Sequence, residues 1–559
     1  MKRCALLLAL AFLIPSPAYA PADSNASEKS NEAANAPQAE DEYLATVAAR
    51  EQKLVALLNS AQELRQAQEL LRTAQLLNQA GQLQLDLYRP QEALATFKDS
   101  LALTNHVNDP ATRVDALNGV AAAYLNLSDL AETEKSLKQA IIISEQNNYP
   151  AGRAEALLLL SDWQNHSDHV LALETARNAL ALWQSLGKTR GIVRSHLSIG
   201  TYQLAQSSLD EAIQSNEVAL NLAREHHLVD LEAEALISLG FIEYRKGAWQ
   251  NVTRFLSDAE DLIDVEAEPV KMTQITSGIA EAYIESGLPE DGLIKYKQAV
   301  EYVRKTKSSR DIIVINWGVA KAQYLLGNYS EALTILQQGL REAETLKDRV
   351  VMAMCHDYLG RTYKALNNNA SALSHFETAL SLYTQANNPM EAARTVALIG
   401  QVYELSGRLD EARKFYQKAL KTFDAGGDSV NQSVTLFALG KLEMKSGNYD
   451  NAESLLWRSI EVTENMRRLS SSRDLTAAFS ATVSDRYQQY IDCLMRNNRG
   501  PMPELRNVKA FETSESARAR SLAQLLGESD TNLLANVDPN LSKQEQLLRQ
   551  LLRVKEDEE

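Results

Sequence analysis

Short side chains recur through this chain with a period of forty residues, and that recurrence limits the folds open to it more than any other feature. Ala93, Thr133, Ala172, Ala212, Val252, Gly292, Ala332, Ala372, Ala412 and Ala452 are 40 residues apart, with one step of 39. Seven residues after each come Ser100, Ala140, Ala179, Ala219, Ala259, Ala299, Gly339, Ala379, Ala419 and Ser459, a column that never exceeds a small side chain. A length of 559 residues would ordinarily suggest several globular domains. A repeating chain can instead form one long array in which each unit rests on its neighbours.

The unit is clearest at Ile399–Ala419, which reads as helix, glycine turn, helix. Gly400, Ala412 and Ala419 allow two helices to approach, Tyr403 and Tyr416 fill the space between them, and Gly407 suits the left-handed turn after the first helix. Residues outside the two columns keep the same register. Pro110, Pro150, Pro269 and Pro389 share one phase, as do Gly247, Gly287, Gly327, Gly407 and Gly447. Asp109 and Asn388 stand before their prolines as N-caps, with proline at the first helical position. Helices of about 15 residues are marginal alone, so their stability must come from stacking.

The small, aromatic, alanine, aromatic, alanine pattern of this unit resembles the tetratricopeptide (TPR) repeat, with six residues more than the usual 34. The resemblance implies an all-α, right-handed superhelical solenoid of about ten helix pairs that binds a protein or peptide in its concave groove. Scarce aromatics, 6% of residues, agree with helices packed through small contacts.

Met1-Lys2-Arg3, the apolar run Ala5–Ile14 and the small residues that follow read as a signal peptide over 1–22. Ten helical residues span only ~15 Å, too short to cross a bilayer. Pro21 disfavours cleavage after Ala20, so cleavage after Ala18 or Ala22 is expected. No cysteine follows the apolar run to suggest a lipid anchor, and the expected location is periplasmic or secreted from a bacterium. Residues 23–41 are a polar linker without enough apolar side chains to order it. Residues 42–70 read as a capping helix, and 71–466 as the array.

Past Glu464 the period stops. Leu475, Phe479, Val483, Tyr487, Ile491 and Leu494 follow helical spacing up to the Gly500–Pro503 break. The stretch Ala510-Phe511-Glu512-Thr513-Ser514-Glu515-Ser516-Ala517-Arg518-Ala519-Arg520 and onward to Leu526 resembles the segment that joins TPR arrays to the CHAT domain, a caspase-like cysteine protease module. A helical junction over 467–527 and an incomplete helical segment over 528–559 follow from that reading. In that family the catalytic His and Cys lie beyond such a junction, and here no histidine follows His375. The resemblance therefore implies the sensing arm of such a protease, a fragment or natural truncation without its catalytic part.

The formal net charge of −16 argues against nucleic acid and anionic lipid as partners. No cofactor is expected. Cys355 and Cys493, the cysteines left after signal removal, are too few for a disulfide framework. Cys355 and His356 are helix neighbours that point about 100° apart, and so make a poor nucleophile and base. Cys493 reads as a small buried hydrophobe. Asp162, His166, Asp168 and His169 carry metal-ligating atoms, but their spacing matches no closed site and turn polarity accounts for them.

Lys321, Arg361, Gln401 and Lys441 share one phase of the first helices, which the TPR resemblance places on the groove. Lys364 and Arg394 widen this basic stripe, and Trp317 and Tyr358 flank it. Such a column would select an acidic or carboxylate-bearing peptide, with Glu281 in the same phase helping to set its direction. The alternative is a solvated helix face.

The register itself is testable. Ala419→Leu should overpack a helix pair and lower stability by roughly 1–3 kcal/mol, seen as a lower melting temperature.

Overall fold

The computed structural model describes residues 47–497, apart from 207, 247, 266–267, 307, 427 and 469–472, together with 506–515 and 518. The expected signal peptide, the linker and the segment 528–559 lie outside the described residues, as do Gly247 and most of the junction after 497. Every regular element among the described residues is an α-helix, and the helices follow one another as repeated pairs.

The chain divides into two compact units, one running to Asn368 and one starting at Asn369. The first holds α1 (Val47–Gln66), α2 (Leu70–Asp86), α3 (Pro90–Leu103), α4 (Pro110–Asn126), α5 (Leu130–Gln146), α6 (Pro150–Gln164), α7 (His169–Leu186), α8 (Thr189–Ala205), α9 (Leu209–Glu225), α10 (Val229–Lys246), α11 (Trp249–Glu260), α12 (Pro269–Glu285), α13 (Pro289–Lys305), α14 (Ser309–Leu325), α15 (Tyr329–Leu346) and α16 (Arg349–Ala365). The second holds α17 (Asn369–Gln385), α18 (Pro389–Leu405), α19 (Leu409–Gly426), α20 (Ser429–Lys445), α21 (Tyr449–Arg468) and α22 (Arg473–Arg496).

The even-numbered helices α2 to α20 are the first helices of the repeats, and the odd-numbered α3 to α21 the second. Most first helices run 17 residues, two more than expected from the sequence.

The helix boundaries follow from local chemistry. Pro110, Pro150, Pro269 and Pro389 each open a first helix, where the missing N–H costs nothing. The Asp109 carboxylate accepts from the Thr112 N–H at 3.0 Å, and the Asn388 side chain accepts from the Glu391 N–H at 3.4 Å. Between first and second helices the chain passes through the left-handed region at Gly287, Gly327, Gly407 and Gly447, with φ of 84°, 81°, 75° and 79°. Tyr88, Ser128 and Asn367 hold the same position with φ of 57°, 60° and 60°. Those three carry a Cβ where glycine would avoid strain.

Both small-residue columns are buried in the second helices. In the first unit, Ala93, Thr133, Ala172, Ala212, Val252, Gly292 and Ala332 are sealed, as are Ser100, Ala140, Ala179, Ala219, Ala259, Ala299 and Gly339. Ala372, Ala412, Ala452, Ala379, Ala419 and Ser459 are sealed in the second.

Large side chains of one helix lie on the small positions of another. A Cβ added at Gly318 would stand 2.2 Å from the Tyr296 ring, and one at Gly400 would stand 3.0 Å from the Tyr416 ring. Tyr416 is buried, whereas Tyr403 is half-buried and stacks on Phe415 with ring centroids 5.2 Å apart. Within each unit consecutive first helices also touch each other, while consecutive second helices are held further apart. The first helices therefore line the inner face of each array.

Turn strain should be measurable at exposed positions. Ser128→Gly should raise stability by about 0.5–1 kcal/mol, and Gly327→Ala, which meets no neighbour, should lower it by about 1 kcal/mol, both read from urea midpoints.

Candidate functional site

Because first helices lie side by side, a charge on one meets a charge on the next repeat. In the first unit, Arg194 of α8 holds Glu155 of α6 through two bonds of 2.8 and 2.9 Å, with both side chains 3% exposed. Arg190 of α8 pairs with Asp230 of α10, and Lys271 of α12 with Glu234 of α10 at 3.0 Å. Glu268, just ahead of α12, accepts from Arg50 of α1 at 2.8 Å and from the Tyr88 hydroxyl at 2.8 Å. Arg50 precedes Glu268 by 218 residues, so this contact ties the start of the array to its sixth repeat. Burial opposes ionisation of Glu268, but Lys271 and Arg50 outweigh it and hold the carboxyl below its ordinary range.

The basic column belongs in part to the same system. Lys321, on α14, is buried with its side chain 1% exposed, paired with Glu281 of α12 and lying 3.3 Å from Glu285. The Tyr296 hydroxyl donates to the other Glu281 oxygen at 2.9 Å. Burial works against the Lys321 charge, yet the two carboxylates more than offset it and raise its pKa. Lys321 is therefore not presented to solvent. Glu281, expected to orient a ligand, is its partner.

Trp317 is also buried, edge-on to Tyr358 with centroids 4.9 Å apart, so it packs in the core and does not stand on an open face. Arg361 of α16 is held by Asp357 at 2.6 Å, and its guanidinium lies 5.1 Å from the Tyr358 ring centroid. Lys364, one turn on, is half-buried. Burial and the neighbouring Arg361 push its ammonium down to about 8, with Asp357 acting against them.

In the second unit, Arg394 of α18 is buried and bonded to Glu391 at 2.5 Å and Asp428 at 3.4 Å. Gln401 is half-buried on the same helix. Lys441, half-buried on α20, differs from the paired cations. No carboxylate pairs with it among the described residues, and its ammonium lies 5.3 Å from the Phe437 ring centroid. A second cation that sequence reasoning missed shares this ring. The Arg486 guanidinium of α22 lies 5.6 Å from the same centroid. The signal was a charge three residues after Val483 and four before Tyr490, on the apolar side of the helix that follows the repeats.

The remaining candidates have local roles. Asp168 caps α7 by accepting from the Val170 and Leu171 N–H groups, both at 3.0 Å. His166 bonds backbone carbonyls, and His169 bonds Asn165 at 2.8 Å. Asp162 accepts from the Tyr202 hydroxyl, and burial raises its carboxyl to about 6. No group of three or more metal-ligating side chains stands together among the described residues. Burial pushes the thiols of Cys355 and Cys493 up to about 12, which makes them poor nucleophiles at neutral pH. No described helix is long and apolar enough to cross a membrane.

Residues 311–385 and 391–465 match the family model of the tetratricopeptide repeat, so the chain carries TPR repeats. No curated protein matches the chain. Among solved structures, the apo form of the quorum sensor NprR from B. thuringiensis is 13% identical, with a TM-score of 0.44, over 59% of this chain and 98% of that one. A Rap protein complexed with competence and sporulation factor is 17% identical, with a TM-score of 0.41, over 61% of this chain and 99% of that one. The apo form of RapI is 16% identical, with a TM-score of 0.41, over 49% of this chain and 99% of that one.

The buried Lys321–Glu281 pair makes a sharp prediction. Glu281→Gln leaves the buried Lys321 ammonium with Glu285 in place of two carboxylates and should cost about 3 kcal/mol, whereas the double variant Lys321→Met/Glu281→Leu should recover part of that loss in thermal unfolding.

Proposed function

We propose that this chain is an exported, non-enzymatic interaction scaffold that holds a protein or peptide against the inner face of its TPR array. One observation carries the reading. The first helices lie side by side along the inner face, and there Arg361, Lys364 and Lys441 keep partial exposure, Arg361 and Lys441 beside aromatic rings, which would offer a ligand both charged and apolar contacts. The TPR match over 311–385 and 391–465 supports the same role.

Arg361 and Lys364 in the first unit, and separately Gln401 and Lys441 in the second, are the candidates from the basic column that retain partial exposure. Lys321, Arg394 and Trp317 are buried and would act by supporting their neighbours. The preferred ligand is acidic. Export rests on the N-terminal Lys2-Arg3 and apolar run, with a periplasmic or secreted location.

A second reading has its own observation. Tyr487, Tyr490, Cys493, Leu494 and Ala510 pack on Ala452, Leu456 and Ile460 of the last repeat, while Val508 and Phe511 are 53% and 67% exposed. An apolar face continuing past the end of the array suits a further domain beyond it. With the resemblance of 510–526 to the segment ahead of a CHAT domain, the second reading is the sensing arm of such a protease.

Affinity capture from a cell-envelope fraction with the mature chain tests the first reading. Wild type should retain a discrete, saturable protein partner, and Lys364→Glu should reduce its recovery roughly tenfold without changing the thermal midpoint. Absence of any saturable partner would refute the scaffold reading, and equal recovery would remove Lys364 from the site.

A further inference from the structure

Among the described residues of the second unit, one buried guanidinium lacks a paired carboxylate. Four arginines are buried among the described residues: Arg50, Arg194, Arg394 and Arg486. Arg50, Arg194 and Arg394 each hold a carboxylate, at 2.8, 2.8 and 2.5 Å respectively. Arg486 is 4% exposed, its Nε has no hydrogen-bond partner, and no carboxylate pairs with it among the described residues. A buried guanidinium without a counter-charge is unfavourable, because desolvation is not repaid by an ion pair.

The surroundings of Arg486 are cationic and aromatic. Lys441 and Arg486 gather around the Phe437 ring at 5.3 and 5.6 Å from its centroid. Burial pushes the Arg486 guanidinium down to about 10, and the charge acting against that shift is its exposed chain neighbour Asp485. The ring face attracts both cations but removes neither charge. An anion that docks here gains the fork of Arg486 and the point charge of Lys441, and it relieves the desolvated guanidinium.

We propose that Arg486, Lys441 and Phe437 form a carboxylate-binding site at the end of the array, built jointly by the last first helix α20 and by the non-repeat helix α22. The ligand group is a peptide carboxylate, supplied by either a free C-terminus or an acidic side chain. That the ligand is a peptide rests on the scaffold reading above. The carboxylate chemistry of the site does not.

The test uses the full mature chain labelled with 15N-arginine, with the Arg486 Nε resonance assigned by its loss in Arg486→Lys. Three probes are titrated: acetyl-tetraalanine with a free C-terminus, the same peptide amidated, and an amidated acetyl-Ala-Glu-Ala. The site predicts that at least one carboxylate-bearing probe shifts the Arg486 resonance saturably while the amidated tetraalanine does not. A response to the first probe alone assigns a C-terminal carboxylate, and a response to the third assigns an acidic side chain.

Affinity should fall roughly tenfold in Arg486→Gln and by a smaller factor in Lys441→Gln, with circular dichroism unchanged. If Arg486→Gln does not fold, Lys441→Gln and the competing effect of added salt carry the same test. An Arg486 resonance that responds to neither carboxylate, or equally to the neutral amide, overturns the proposal. Carboxylate binding without any captured protein partner would leave this site standing and count against the scaffold reading alone.

Discussion

Close approach of paired helices at short side chains is the constraint on which the rest of this structure depends. Ala93, Ala212, Ala332 and Ala412, with their counterparts seven residues on, remove the bulk that would otherwise hold two helices apart. Phe97, Tyr296 and Tyr416 then fill the gaps left by facing glycines. The packing is tight enough that a single methyl group at Gly318 would collide with Tyr296. Such contacts are short-ranged and favour strict register, because displacement along a helix replaces a small side chain with a large one.

The same packing places first helices side by side and so creates an electrostatic problem. Charged residues on the inner face lose water as neighbouring repeats close over them, and most become tolerable by pairing across the repeat boundary. Arg194 with Glu155, Lys271 with Glu234 and Lys321 with Glu281 are three instances, all near one period apart in sequence. Arg50 with Glu268 extends this principle beyond adjacent repeats. Cations compensated in this way contribute to specific packing and leave little charge for a ligand. Lys441 and Arg486 share an aromatic ring in place of a described carboxylate, and that difference sets them apart electrostatically.

Much of the architecture was legible from residues alone. The two short-residue columns, the proline phase and the caps at Asp109 and Asn388 report local rules that tertiary context did not override. The basic column was legible only as a phase. Lys321, Arg361 and Lys441 occupy equivalent positions, yet one is buried in an ion pair, one is held by Asp357 a turn away, and one lies over Phe437. Periodicity says which helix face a residue occupies. It does not say which partner each residue meets: Lys321 meets Glu281 of the preceding repeat, whereas Arg361 meets Asp357 and Lys441 meets Phe437 on its own helix. Arg486 lay outside the period altogether, and no column of equivalents drew attention to it.

The sequence by itself determined an all-α array, its forty-residue register, its helix starts and its tight turns, because each depends on interactions within one repeat or between adjacent ones. Tertiary structure decided which charges are neutralised and which remain. The reason is physical: a side chain's electrostatic state depends on burial and on partners up to 218 residues away, as Arg50 and Glu268 show. In this protein the helical scaffold can be read along the chain, but the chemistry it offers a ligand emerges only where helices meet.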